Sequence, residues 1–273
     1  MGLRINTNIQ SINAQRNLAG TTTRLQRSLE RLSSGLRITR AADDAAGLAI
    51  SENFRAEIRS LGQAQRNALD GVSMLQIAEG ALNETSTLLI RMRELAIQSA
   101  NGTLGSSERA SLNDEFQQLV AEIDRVAAVT NFNGTFMLQS AISITFQVGS
   151  EAGSANQITV SGRVATASAI GVSGLAITSA SGALSALAAL DSAINQVATI
   201  RAAFGTAQSR LESTIRSLAV AIENISAAES RIRDVDVAME TAELTRNQVL
   251  QQAGVAVLAQ ANLSASVALS LLQ

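Results

Sequence analysis

Apolar residues recur at alternating steps of three and four along most of this chain, a spacing that keeps them on one face of a helix. Ile5, Ile9 and Ile12 begin the pattern, and Leu25, Leu29, Leu32 and Leu36 continue it. An a/d stripe of this kind predicts an N-terminal helix that packs along a partner. Ser33-Ser34-Gly35 loosens it, as a helix end or hinge would. The run from Ile58 through Leu61, Ala68, Leu75, Leu82 and Leu89 to Ala96 keeps its register without a slip. It predicts one helix from about 44 to 100, roughly 85 Å long at 1.5 Å per residue. Asn101-Gly102 ends it, and Ser106 or Ser107 is placed to cap a third helix with the stripe Leu112, Phe116, Leu119, Ile123 and Val126.

The middle changes period. Ile142, Ile144, Phe146 and Val148 alternate with polar residues, and so do Ile158 and Val160, which predicts two strands joined by a turn at 149–156. Residues 165–182 are rich in Ala, Ser and Gly without a clear period and read as loop. Both connections read as surface segments with little apolar content, where a small inserted domain is expected to be tolerated. From Leu187 to Ile232 the three/four stepping returns for 46 residues, longer than an ordinary globular helix. The fold class is therefore mainly α: a long antiparallel helical rod or coiled coil built by the N- and C-terminal regions, with a small β-hairpin in the middle.

Charge is distributed unevenly. Residues 1–40 hold seven Arg against Glu30, a formal +6, and residues 223–243 hold six acids against Arg231 and Arg233, a formal −4. Spread through a heptad pattern without interleaved aromatics to stack on bases, the arginines point to the acidic end as their partner and not to nucleic acid. The 27 residues after Arg246 carry no charged side chain. Gln251, Gln252, Gln260 and Asn262 interrupt their apolar run, and amides are costly in lipid. This favours burial inside a protein assembly over a membrane span.

His, Cys, Pro, Trp, Tyr and Lys are absent, and all 21 basic residues are Arg. The chain thus has no imidazole base, thiolate, soft metal ligand or Schiff-base amine. Only carboxylates with Ser or Thr remain for catalysis, so a non-enzymatic protein with no cofactor, metal or catalytic residue is expected. The first twenty residues show no apolar run of signal-peptide length, so export would use a route that reads no cleaved signal.

The stretch RLSSGLRITRAADDAAGLAIS at 31–51 closely resembles the N-terminal signature of bacterial flagellins. The resemblance extends through INTN at 5–8, ALNE at 81–84, RELAIQSAN at 93–101, AEIDRV at 121–126 and FNG at 132–134. It resumes with RIRDVDVAMETAELTRNQVLQQAGVAVLAQAN at 231–262 and LSLL at 269–272. It implies a short flagellin without large outer domains: a structural subunit that polymerises into the flagellar filament for swimming motility. It also implies that the chain is secreted unfolded and assembled at the filament tip. The implied domains are a terminal filament-core domain, 1–42 with 236–273, and a helical rod domain, 43–176 with 177–235, that includes a β element at about 140–165.

The implied partners are the chain itself, the flagellar export apparatus and an export chaperone, the filament cap and hook-junction proteins, and Toll-like receptor 5, with no nucleic acid and no membrane. Receptor recognition carries over by motif to Arg91, Leu95 and Glu115. Arg91 and Leu95, four apart on one helix, are expected to share a face. The candidate polymerisation seam is Ile5, Ile9, Ile12, Leu25, Leu29, Leu32, Leu36, Val249, Val257, Leu263 and Leu271. A hook–filament junction protein and a cytoplasmic coiled-coil scaffold are the rival readings; only a flagellin is expected to form long filaments by itself. Both ends are expected to be disordered in the monomer and to fold in the filament.

Overall fold

The computed structural model describes residues 7–270, with side chains described through Leu263. Ile5 and Leu271 of the candidate seam therefore lie outside the described residues. Among the described residues five helices form: α1 Ile9–Ser34, α2 Ala45–Ala100, α3 Ser106–Val129, α4 Ala180–Arg233 and α5 Val237–Ser270. Between α3 and α4 lie two antiparallel strand pairs, β1 Asn131–Phe132 with β2 Thr135–Phe136 and β3 Ser143–Gln147 with β4 Gln157–Ser161. The chain divides into two compact units, 1–56 with 224–273 and 57–223.

In the unit formed by 57–223, the predicted stripes become one core. Leu75, Leu82, Leu89 and Met92 of α2 meet Phe116 and Ile123 of α3 and Leu190, Val197, Phe204 and Leu211 of α4. Each of these α4 positions is seven residues from the next, as the heptad requires. Ion pairs at the margins fix the antiparallel order: Arg93 with Asp191 at 2.8 Å and Arg91 with Glu115 at 2.8 Å. The cap of α3 differs from the expectation. Gly105 occupies the N-cap position with no side-chain cap, and Ser106 is already helical. The Glu108 carboxylate lies over Gly105, 2.5 Å from where a Cβ would stand, so an acid in the first turn serves the helix N-terminus instead.

Strands β3 and β4 pair from Ser143 opposite Ser161 to Gln147 opposite Gln157. Ile158 and Val160 are buried while Thr159 and Ser161 face out, the alternation read from the sequence. The hairpin seats on α2 at Gly71, where a Cβ would come within 3.3 Å of the Phe146 ring, and Asn67 Nδ2 donates to the Gln147 carbonyl at 3.0 Å.

The segment 165–182 corrects the sequence reading. It is irregular, but it is not a surface connection: Ala165, Ala167, Ile170, Val172 and Ile177 are all buried in the core. An irregular backbone can be buried only if its polar groups find partners. Helix side chains supply them here. Asp124 Oδ1 accepts from the Ala167 N–H at 2.7 Å, Asn113 Oδ1 accepts from the Ile177 N–H at 3.0 Å, and Gln117 Nε2 donates to the Leu175 carbonyl at 2.7 Å. The buried Ser99 hydroxyl donates to the Ile177 carbonyl. An insertion after Ala152, in the exposed turn, should therefore leave thermal unfolding of the monomer almost unchanged. The same insertion after Ala169 should destabilise it severely, because it separates Ala167 from Val172 and Ile177. Equal tolerance at both sites in a melting experiment would contradict this assignment.

Candidate assembly surface of the terminal helices

Helices α1 and α5 lie antiparallel in one unit, tied at Asn8 Nδ2 to the Ala261 carbonyl, 2.9 Å, at Ser11 to Asn262, 3.0 Å, and at Arg31 to Glu240, 3.6 Å. Between these ties the facing positions follow the heptad spacing. On α1 they are Ser11, Ala14, Leu18, Thr21, Leu25, Ser28 and Leu32, and on α5 Glu240, Leu244, Asn247, Gln251, Gly254, Leu258 and Ala261; all are buried or half-buried. Leu18 packs against bare backbone at Gly254, where a Cβ would stand 3.3 Å from its Cδ1.

This register divides the candidate seam. Leu25, Leu32 and Leu36 are half-buried. Ile9 (56% exposed), Ile12 and Leu29 on α1 and Val249, Val257 (59% exposed) and Leu263 on α5 are at least half exposed, Val257 bordering a groove beside Ala14 and Asn17 of α1. A single a/d stripe through all the N-terminal apolar residues is thus not what forms. The fully buried positions of the seam on α1 are Ala14, Ser11 beside Ile12, and Ser28 beside Leu29. Gly254 and Ala261 on α5 are small, and at Gly254 the space is filled by Leu18. Val249, Leu250, Val255 and Val257 are all largely exposed, and α5 carries no charged side chain after Arg246.

The turns that end α1 and α4 are held together. Gly35 caps α1 at φ 74, its N–H donating to the Arg31 carbonyl at 2.9 Å, the left-handed geometry that glycine adopts without penalty. Leu36 bridges to Asp234, and the Arg37 N–H donates to the Arg233 carbonyl at 2.7 Å. Asp43 Oδ2 then gathers the Thr39 N–H, the Thr39 hydroxyl and the Arg40 N–H, at 3.3, 3.1 and 3.2 Å. Burial pushes the Asp43 carboxyl up, but these donors and nearby Arg31 outweigh it and hold the group below its ordinary value. Arg233 Nη1 donates to Glu52 Oε1 at 2.7 Å and, with Arg55, lowers the Glu52 carboxyl in the same direction. The signature at 31–51 is therefore a clasp of backbone pairing and ionised carboxylates, a role that its spacing alone does not reveal.

On the other unit, Arg91 and Glu115 are exposed and paired, and Arg91 also reaches Glu94 at 3.0 Å. Leu95 is fully buried in the core. Arg91 and Leu95 are thus neighbours in the helix but do not present one accessible surface.

The comparisons with known proteins agree with this architecture. The bacterial flagellin N-terminal helical region matches residues 5–142, and the bacterial flagellin C-terminal helical region matches residues 187–272. The flagellin of Halalkalibacterium halodurans is 47% identical over 270 residues, 98% of this chain and 99% of that protein. The flagellin of Bacillus subtilis is 41% identical over 308 residues, 99% of this chain and 100% of that protein. The crystal structure of Bacillus cereus flagellin is similar with a TM-score of 0.50 at 31% identity, covering 56% of this chain and 88% of that one.

A long-helix protein whose terminal helices fully bury only small and polar residues, and leave isoleucines and valines at least half exposed, is a subunit that associates with copies of itself. The chain belongs to the bacterial flagellin family and is a filament subunit of the flagellum, an extracellular structure.

Proposed function

We propose that the outward faces of α1 and α5 are the polymerisation surfaces, with Ile9, Ile12 and Leu29 on one helix and Val249, Val257 and Leu263 on the other. The observation that carries this is the packing of the pair: its fully buried positions are Ser11, Ala14, Ser28, Asn247 and Ala261, while Ile9, Ile12, Leu29, Val249, Val257 and Leu263 stay at least half exposed. Water-exposed apolar area of that kind is stabilised only by a further partner. The terminal filament-core domain is then 1–42 with 236–273, bounded by the clasp at 35–43 and 234–236. The helical domain is 43–176 with 177–235. The chain reaches the outside unfolded through the flagellar export apparatus, escorted by a chaperone that covers the apolar ends, and adds at the tip beneath a cap. Toll-like receptor 5 is the proposed receptor for the helical domain, through the exposed Arg91 and Glu115.

A charge placed on the outward face tests the polymerisation surface. Val257→Asp and Ile12→Asp should leave the helical circular dichroism of the monomer intact and raise the concentration needed for filament growth. The rise should be about tenfold for each ~1.4 kcal/mol by which subunit association is weakened. Filaments growing from these variants at the parental concentration would rule the assignment out.

A further inference from the structure

The two Asn-Gly pairs of the chain, Asn101-Gly102 and Asn133-Gly134, sit in opposite chemical situations. Asn-Gly is the dipeptide in which the following backbone nitrogen most easily reaches the Asn amide carbon, because glycine has no Cβ in the way. At Asn133 nothing opposes that approach except the turn itself. Asn133 and Gly134 are the two central residues of the β1–β2 hairpin, at φ 48 and 78, and both are exposed. Asn133 is the one non-glycine residue at positive φ among the described residues. Its side chain has no hydrogen bond among the described residues, and the space around Gly134 is open, as it is at Gly102, so the two sites differ in their hydrogen bonds and not in access. The hairpin consists of two residue pairs only, Asn131 with Phe136 and Phe132 with Thr135, and so short a ribbon opens easily.

Asn101 is restrained on every side. Its N–H donates to the Gln98 carbonyl at 3.2 Å, and its own carbonyl accepts from the Leu104 N–H at 3.3 Å and from Arg109 Nη2 at 3.0 Å. Its Oδ1 accepts from the Thr103 N–H at 3.4 Å. The rotation that would bring the Gly102 nitrogen onto the Asn101 amide carbon breaks these bonds together.

We propose that Asn133 is a site of spontaneous deamidation and isoaspartate formation, and that it is the site at which the folded subunit ages first. The Gly134 nitrogen forms a bond to Cγ of Asn133, its proton passes to solvent base, and ammonia leaves, closing a five-membered succinimide. Water then opens the ring at either carbonyl, giving aspartate or isoaspartate at 133. Either product adds one negative charge, taking the formal net charge from −2 to −3. The isoaspartyl product also lengthens the backbone by one carbon, which a two-residue turn cannot absorb. It therefore loosens β1 and β2 ahead of the buried Met137 and Leu138.

The test is to age the full-length monomer at mildly alkaline pH, folded and in urea, and to follow both sites by peptide mapping. Methyl transfer by an isoaspartyl carboxyl methyltransferase reports the isoaspartate. In urea the two sites should convert at similar rates. In the folded protein Asn133 should convert about tenfold faster than Asn101, the ratio set by their different costs of local opening. Asn133→Gly, which keeps a two-glycine turn of the same type, should remove the main product while the melting curve stays parental. Equal rates at the two sites in the folded protein, or an Asn133 that stays amide over the time in which the unfolded chain converts, would overturn the proposal.

Discussion

A brief digestion of the monomer with a protease of low specificity should remove about 40 residues from each end and leave a helical core near 43–235. Helix α1 buries only Ser11, Ala14 and Ser28. On α5 the described buried positions are Asn247 and Ala261. Fixing a residue's backbone costs on the order of 1–2 kcal/mol, and burial of serines and alanines offsets little of it. Opening the pair exposes no fully buried large apolar side chain, only half-buried leucines such as Leu18, Leu25 and Leu258, so opening is frequent. The other unit loses Phe116, Phe204 and a row of leucines to water when it opens, so it opens rarely. The trimmed core should remain folded by circular dichroism and should fail to polymerise at any concentration, because the outward apolar faces have gone with the ends. Slow amide hydrogen exchange throughout α1 in the isolated monomer would refute this account.

The helices are legible in the sequence because their heptads are long. Leu190, Val197, Phe204 and Leu211 cannot share a face in any other regular structure, and β3 and β4 announce themselves by strict alternation. Three features escape for physical reasons. The register of α1 is hidden because apolarity reads as burial, whereas Ile9, Ile12 and Leu29 stay exposed, the positions proposed to meet another copy. Residues 165–177 read as surface because their burial depends on Asn113, Gln117 and Asp124, polar partners some 50 residues away in sequence. The β1–β2 hairpin escapes although Asn133-Gly134 is the strongest local turn signal available. Its strands are two residues long, too short to show a period.

The two candidates for receptor recognition on α2, Arg91 and Leu95, should separate cleanly when replaced one at a time. Leu95→Ala removes a fully buried side chain from the core beside Leu89 and Met92. It should cost about 2–5 kcal/mol, the range for a buried Leu cut back to Ala. For a bundle of this size that lowers the melting temperature by several degrees for each kcal/mol. Arg91→Ala breaks exposed pairs with Glu115 and Glu94 and should leave the melting temperature nearly unchanged, since water solvates the freed carboxylates. Receptor activation by monomer should fall for Arg91→Ala at full folded population, because the guanidinium proposed to meet the receptor is gone. For Leu95→Ala it should fall only through displacement of α2 against α3, and a volume-conserving Leu95→Met should restore it. If Arg91→Ala activates as the parent does while Leu95→Ala does not, the exposed pair is a helix tie and the receptor reads the packing of the bundle instead.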